Sequence, residues 1–351
     1  MINPKILVSG ATGKVGMEVV KQLIEKKYPV RTMVRKQDAR SGQLKNLGAE
    51  IVVADVFDTE AVYNAMKDTQ RVFYLPVVHP YMIQSSVAFA VAAHQLQIEQ
   101  IVTLTQWLSN PSHPSLLTRH HWLTDKLMPM IPGIASTIVN PGVFGEVVAG
   151  FIPSAAVTGS FPNFIGDGKA PLCSNADMAR VCVAALSDPA KHNGKTLKPT
   201  GPENLSMQDV ANILAKLTGR KIKAMLMSNK MFLKAAKASG ISDFEAYITQ
   251  HYFEDGQRGS FEVNAPTNTV YELTGVKPEN YESIAKRYLT LPESQPTFAN
   301  KMKGFKDLFK IITTVPYNIE KYKKDMGFPV LTNPQLSADN AIWKHEHFPK
   351  Q

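Results

Sequence analysis

The sequence predicts a doubly wound α/β fold on a parallel sheet, with a smaller second domain and a helical C-terminal extension. Three observations carry that expectation. Through the first 140 residues, short runs rich in Val, Ile and Leu alternate with longer segments of helical spacing. The first of these runs opens into a glycine-rich turn followed by an amphipathic segment. After Pro141 the rhythm breaks into loops dense in Gly and Pro. Repeated strand–helix–strand units require right-handed crossovers, which place helices on both faces of a sheet.

The strand-like runs are Lys5–Ser9, Pro29–Val34, Glu50–Val53, Arg71–Leu75, Gln100–Thr105 and Ala135–Val139. Such continuous apolar runs suit strands covered on both faces. Between the first two, Val15, Val19, Leu23 and Ile24 form one helical stripe that ends before Lys26 and Lys27. Met82–Leu96 and Thr118–Met130 read as further helices. Beyond the Gly- and Pro-rich residues 142–172 come a helix at Ala176–Leu186, a turn at His192–Lys195 and a strand near Thr196–Pro199. Ser206 is placed to cap a helix Met207–Leu217 that Gly219 ends. The pattern divides the chain into a dinucleotide-binding domain over 1–150, to which 170–200 contributes, a smaller domain over 151–290 and an extension over 291–351.

At 351 residues, 44% hydrophobic and 20% charged, the chain can bury substantial cores, which excludes a disordered or fibrous protein. Two cysteines without a CxxC pair point to a reducing compartment. The chain has no apolar run of membrane-spanning length and starts directly into a strand pattern, so the expected location is cytoplasmic. The net charge of +9 is uneven: residues 210–242 hold seven Lys or Arg and no acid. Solvated helix faces account for such stretches, and no nucleic-acid motif accompanies them.

The chemistry starts at Gly10-Ala11-Thr12-Gly13-Lys14-Val15-Gly16, between a strand and a helix. Gly10 permits a tight turn, Gly13 lets backbone approach a pyrophosphate, and Gly16 lets the helix lie close to the sheet. The helix start then offers free N–H groups to an anion. The second strand ends in Arg35 and Lys36 with no acid before Asp38, so a guanidinium, with Lys36 or Arg40 adding charge, faces the adenosine 2′ position. NADP(H) is therefore preferred, with NAD(H) still admissible. Asp55 and Val56 after the third strand, and Leu75 and Pro76 after the fourth, face the same crevice at the carboxyl ends of the strands.

With these motifs, the sequence resembles the NmrA-like group of atypical short-chain dehydrogenase/reductases. The likeness also rests on His121-x-x-Thr124-Asp125, Asn140-Pro141-Gly142-Val143-Phe144, Ser174-Asn175-Ala176-Asp177-Met178-Ala179 and Thr200-Gly201-Pro202. It extends over roughly residues 3–290 and implies a Rossmann-type domain, bound NADP(H) or NAD(P)H, and cofactor contacts from Val143 and Phe144. It also implies one of two functions. Some members reduce quinones or other small acceptors; others are redox sensors that regulate a protein partner without turnover.

Short-chain reductases carry Tyr-x-x-x-Lys on the helix after the fifth strand. Here Lys126 fills the lysine position, but Trp122 stands where the phenol belongs, and an indole is no general acid near neutral pH. The companion hydroxyl is Thr105. A small quinone-like acceptor can take its proton elsewhere, with His121, Thr105 and Lys126 as candidates and Lys126 alternatively holding the nicotinamide ribose. His120 and His121 point about 100° apart and make no chelating pair, so no metal is expected. His345 and His347 read as solvated.

In the extension, Phe298, Met302, Phe305, Phe309 and Ile312 recur every three or four residues among Lys301, Lys303, Lys306 and Lys310. This basic amphipathic helix is expected to dock its stripe on its own protein; contact with an anionic membrane surface through 298–312 is the less favoured alternative.

Overall fold

The computed structural model describes residues 3–348. Six parallel strands, β1 (Ile6–Val8), β2 (Val30–Val34), β3 (Glu50–Val53), β4 (Arg71–Tyr74), β5 (Gln100–Leu104) and β6 (Ala135–Val139), lie in the order β3-β2-β1-β4-β5-β6. Thr196–Leu197 adds a parallel edge strand beside β6. The reversal of strand order between β1 and β4 opens the ligand crevice expected of a doubly wound sheet.

Alternation along β1 shows how the sheet feeds two cores. Ile6 and Val8 pack with Val19, Leu23 and Phe73 on one face, while Leu7 packs with Met33, Val72 and Phe89 on the other. Helix α1 (Lys14–Glu25) turns Val15, Val19, Val20 and Leu23 inward. It lies against the helix Asn175–Ser187, which Ser174 caps by accepting the Asp177 N–H. On the same face α2 (Ala39–Asn46) adds Leu44, while across the other face run α3 (Thr59–Met66), α4 (Met82–Leu96) and α5 (Leu116–Leu127). Asp38 caps α2 and Ser115 caps α5. Cys173 and Cys182 are buried free thiols, and no described helix is long and apolar enough to cross a membrane.

A third core lies beyond the crevice, where Phe161, Phe164, Val210, Leu214, Tyr247 and Tyr281 pack together. The two halves of the extension meet this body differently. The terminal helix Ala341–His347 drives Trp343, fully buried, into that third core. The helix Phe298–Thr313 buries nothing. It rests on the helices Asn229–Ala238 and Ile152–Thr158, with Gly304 beside Thr158 and the Lys310 ammonium donating to the Ala238 carbonyl. The expectation that its apolar stripe docks inward is therefore overturned. The face carrying Asn300, Gly304 and Ile311 makes the contact, and the phenylalanines lie on the other side.

Candidate active site

At the carboxyl edge of β1 the chain turns through Gly10, whose φ of +63° belongs to the left-handed region. Each glycine of the turn has a different reason to lack a side chain. A Cβ on Gly16 would lie 2.2 Å from the Gly10 carbonyl oxygen, so α1 could not approach. A Cβ on Gly10 would strike the Leu75 side chain at 2.9 Å. Gly13 is exposed, and a Cβ there would come near only the Gly10 oxygen, at 3.2 Å. Beyond that one contact nothing in the protein crowds position 13, so its backbone lies open to the crevice. Gly13 also occupies the N-cap of α1 without any side-chain cap, so the first-turn amides offer themselves to an anion. Val15 is buried in the core and can contribute only backbone, and Thr12 is half-buried. The Lys14 ammonium turns away to the Tyr288 hydroxyl, 3.2 Å distant.

Arg35 and Lys36 follow β2, both exposed and without an ion pair among the described residues. Arg40, expected to add charge here, is instead bound to Asp38 at 2.8 Å. Hydrogen bonds from the Arg40 side chain and the α2 amides hold that carboxyl below its ordinary range. Asp55 is exposed beyond β3 and accepts the Phe57 N–H, next to a half-exposed Val53 and a half-buried Val56. Leu75 donates its N–H to Ser9 Oγ, which fixes the buried Pro76 beside the glycine turn. Val143 and Phe144 straddle the crevice floor: Val143 packs on the third core and Phe144 on the sheet core.

The other end of the crevice is made of side chains. Thr105, the first residue past β5, donates its hydroxyl to Asp125 Oδ1 at 2.7 Å. Asn140, the first residue past β6, donates its amide to Thr105 Oγ1 at 2.5 Å and to Asp125 Oδ2 at 3.4 Å. Burial pushes the Asp125 carboxyl up to about 7, against the lowering pull of its hydrogen bonds to Thr105, Ser109 and Asn140. Neither Asp125 nor Asn140 was assigned a role from the sequence. Asp125 stands one residue before the family lysine and three after Trp122, so the helix spacing itself was the signal available.

The C-terminal extension closes over this cluster. Trp343 Nε1 donates to the Trp107 carbonyl at 2.9 Å, and His347 stacks on Trp343 with ring centroids 4.0 Å apart. His347 is thus buried rather than solvated, and burial pushes its imidazole down to about 3. Glu346 Oε1 meets the Lys126 ammonium at 2.7 Å, and the Glu346 carbonyl accepts from Lys198 Nζ at 2.8 Å. Burial lowers Lys198 to about 8. Upstream, Ser337 donates its hydroxyl to the Leu108 carbonyl and its N–H to Asp255, whose other oxygen meets His113 at 2.6 Å.

Two catalytic expectations change as a result. Lys126 is exposed, and its ammonium meets Glu346 of the terminal helix rather than the Thr105–Asp125–Asn140 cluster. His121 is buried with Nδ1 unpartnered, and burial pushes it down to about 3, so near neutral pH it is an uncharged ring with no acidic proton to give. Thr105 alone of the three candidates lies in the polar cluster. No group of metal-binding side chains occurs among the described residues.

Comparison with known proteins agrees with this architecture. An NAD(P)H azoreductase of Xenophilus azovorans is 28% identical over 239 residues, covering 68% of this chain and 82% of that protein. Quinone oxidoreductase 2 of Escherichia coli is 24% identical over 278 residues, covering 76% of this chain and 96% of that protein. The structure of the Escherichia coli quinone oxidoreductase complexed with NADPH superposes with a TM-score of 0.72 at 23% identity, covering 81% of this chain and all of that one. A Citrobacter triphenylmethane reductase complexed with NADP(H) gives 0.70 at 18%, covering 81% of this chain and all of that one. The NmrA-like family model matches residues 3–285, and the chain belongs to the NmrA-like family.

Proposed function

We propose that this protein is an NADPH-dependent oxidoreductase that reduces a small quinone-like acceptor. The observation that carries the reading is the Thr105–Asp125–Asn140 cluster, a hydrogen-bonded group with protons to give in a chain that lacks the family phenol. The relatives named for azo and quinone reduction, and the solved neighbours complexed with NADPH, support the same chemistry.

The residues present fit the cofactor. The open Gly13 and the uncapped start of α1 suit a pyrophosphate, while Arg35 and Lys36 suit a 2′-phosphate. Asp55, Val56 and the exposed edge of Val53 would frame the adenine side, and Leu75, Pro76, Val143 and Phe144 would line the path toward the nicotinamide. When bound, the cofactor supplies a hydride. The chain must then bind the acceptor oxygen and protonate it. With Asp125 protonated, its O–H donates to Thr105 Oγ, which frees the Thr105 hydrogen for the acceptor. The proton passes from Thr105 to the acceptor while Asp125 restores the threonine hydroxyl. A carboxyl near 7 is matched to that task at neutral pH.

The division of labour follows the domains: 1–150 with 170–200 hold the cofactor, 151–290 frame the acceptor, and from the extension 291–351 the terminal helix Ala341–His347 covers it. The two buried free thiols suit a reducing, cytoplasmic setting. NADPH oxidation with a panel of quinones and azo dyes, beside NADPH titration, is the test. Saturable turnover is expected with at least one quinone. Tight NADPH binding without turnover on any acceptor would instead make the protein a cofactor sensor for a protein partner.

A further inference from the structure

We propose that the helix Phe298–Thr313 is a surface anchor that lies in the plane of an anionic lipid bilayer. None of its sixteen residues is buried, and Phe298, Phe305 and Phe309 are 80%, 68% and 69% exposed. With Met302 and Ile312, also exposed, they recur at steps of four and three, within an arc of roughly 80° on an α-helix. The stripe is not packing surplus, because the helix already makes its intramolecular contacts through the face of Asn300, Gly304 and Ile311. Large apolar groups aligned toward solvent mark an interaction surface.

Charge selects the occupant. The helix carries Lys301, Lys303, Lys306 and Lys310 against Asp307 alone, a net +3. The helix packed beside it, Asn229–Ala238, adds Lys230, Lys234 and Lys237 with no acid. A second copy of the chain would bring the same positive surface against this one and be repelled. An acidic protein would satisfy the lysines but would also need a groove for five apolar side chains in a line. An anionic bilayer meets both demands, with phosphates at the lysine level and acyl chains beneath the phenylalanines. Neither the stripe nor the lysines belong to the crevice, so the proposal stands apart from the catalytic reading.

The full-length protein should be sedimented with phosphatidylcholine vesicles and with vesicles one-third phosphatidylglycerol. Partitioning onto the anionic vesicles is expected to be at least roughly tenfold stronger and to weaken as salt is raised. The double variant Phe305→Ser/Phe309→Ser should lose roughly tenfold or more of that binding, with an unchanged circular dichroism spectrum and unchanged oxidation of NADPH by a water-soluble quinone. Lys301→Gln/Lys306→Gln should lose the preference for anionic vesicles. Failure to sediment with anionic vesicles overturns the proposal, as does sedimentation that the phenylalanine variant leaves intact. A dimer in sedimentation velocity that the phenylalanine variant dissolves, without vesicle binding, would give the face to a second copy instead.

Discussion

The two ends of the crevice are built by opposite means. At the glycine turn the recognising groups are backbone amides from one short stretch, placed by a strand, a positive φ and an uncapped helix start. At the far end they are side chains from stretches scattered along the chain: Thr105, Asp125, Asn140, Lys198 and Glu346. The first end stays open and the second is roofed by the terminal helix. A site made of backbone is fixed by a local motif. A site made of side chains depends on packing at long range, and it is where this protein departs from the phenol-bearing reductases.

The contrast is broken most severely at the backbone end. Gly13→Val should abolish measurable NADPH binding while the circular dichroism spectrum stays native, because a Cβ there meets the protein only at the Gly10 oxygen, 3.2 Å away, and the branched chain fills the ligand side. Retained binding in a folded variant would reduce the turn to a structural one. Next comes Asp125→Asn, expected to lower turnover roughly 100-fold or more with NADPH affinity unchanged. In the unaltered protein, turnover should fall as pH rises through about 7, because the proton donor is lost, and Asp125→Asn should flatten that limb. The same raised carboxyl pKa adds stability that is fully present below the ordinary carboxyl range and disappears as pH rises through about 7. Thermal melts of the two proteins across pH 4–9 would show it as a gap that changes with pH in that direction.

Smaller effects sharpen the comparison. Arg35→Ala should cost roughly tenfold to a hundredfold of the preference for NADPH over NADH, the scale of charged hydrogen bonds, with NADH affinity little changed. Equal affinities in the unaltered protein would remove the 2′-phosphate assignment. Smallest is Lys126→Ala. Its ion pair with Glu346 is largely solvated, so its loss should cost under about 1 kcal/mol in denaturant unfolding. A turnover loss near 100-fold in this variant would instead restore the lysine to the nicotinamide ribose.

Reading the sequence captured the sheet and its crevice because both follow from local pattern. Continuous apolar runs gave β1 to β6, and Gly10 and Gly16 fixed the turn by steric demands that any sequence must meet. What escaped was set by tertiary neighbours. The Arg40 guanidinium pairs with Asp38, two residues away, whose carboxylate also caps α2. His347 looked solvated because nothing in its own stretch reveals that Trp107 and Trp343 enclose it. The stripe at 298–312 has the right period for a buried face, yet period says nothing about which side meets a neighbour.

The Trp343–Trp107 hydrogen bond joins residues 236 positions apart. Closing so long a separation is entropically costly and is rewarded only once both contact surfaces exist. The roof of the catalytic end should therefore be the last piece to seat during folding, after the glycine turn has formed from neighbours in sequence. A refolding chain would then acquire dinucleotide affinity before it acquires a finished acceptor chamber, and the two competences should recover with separate rates.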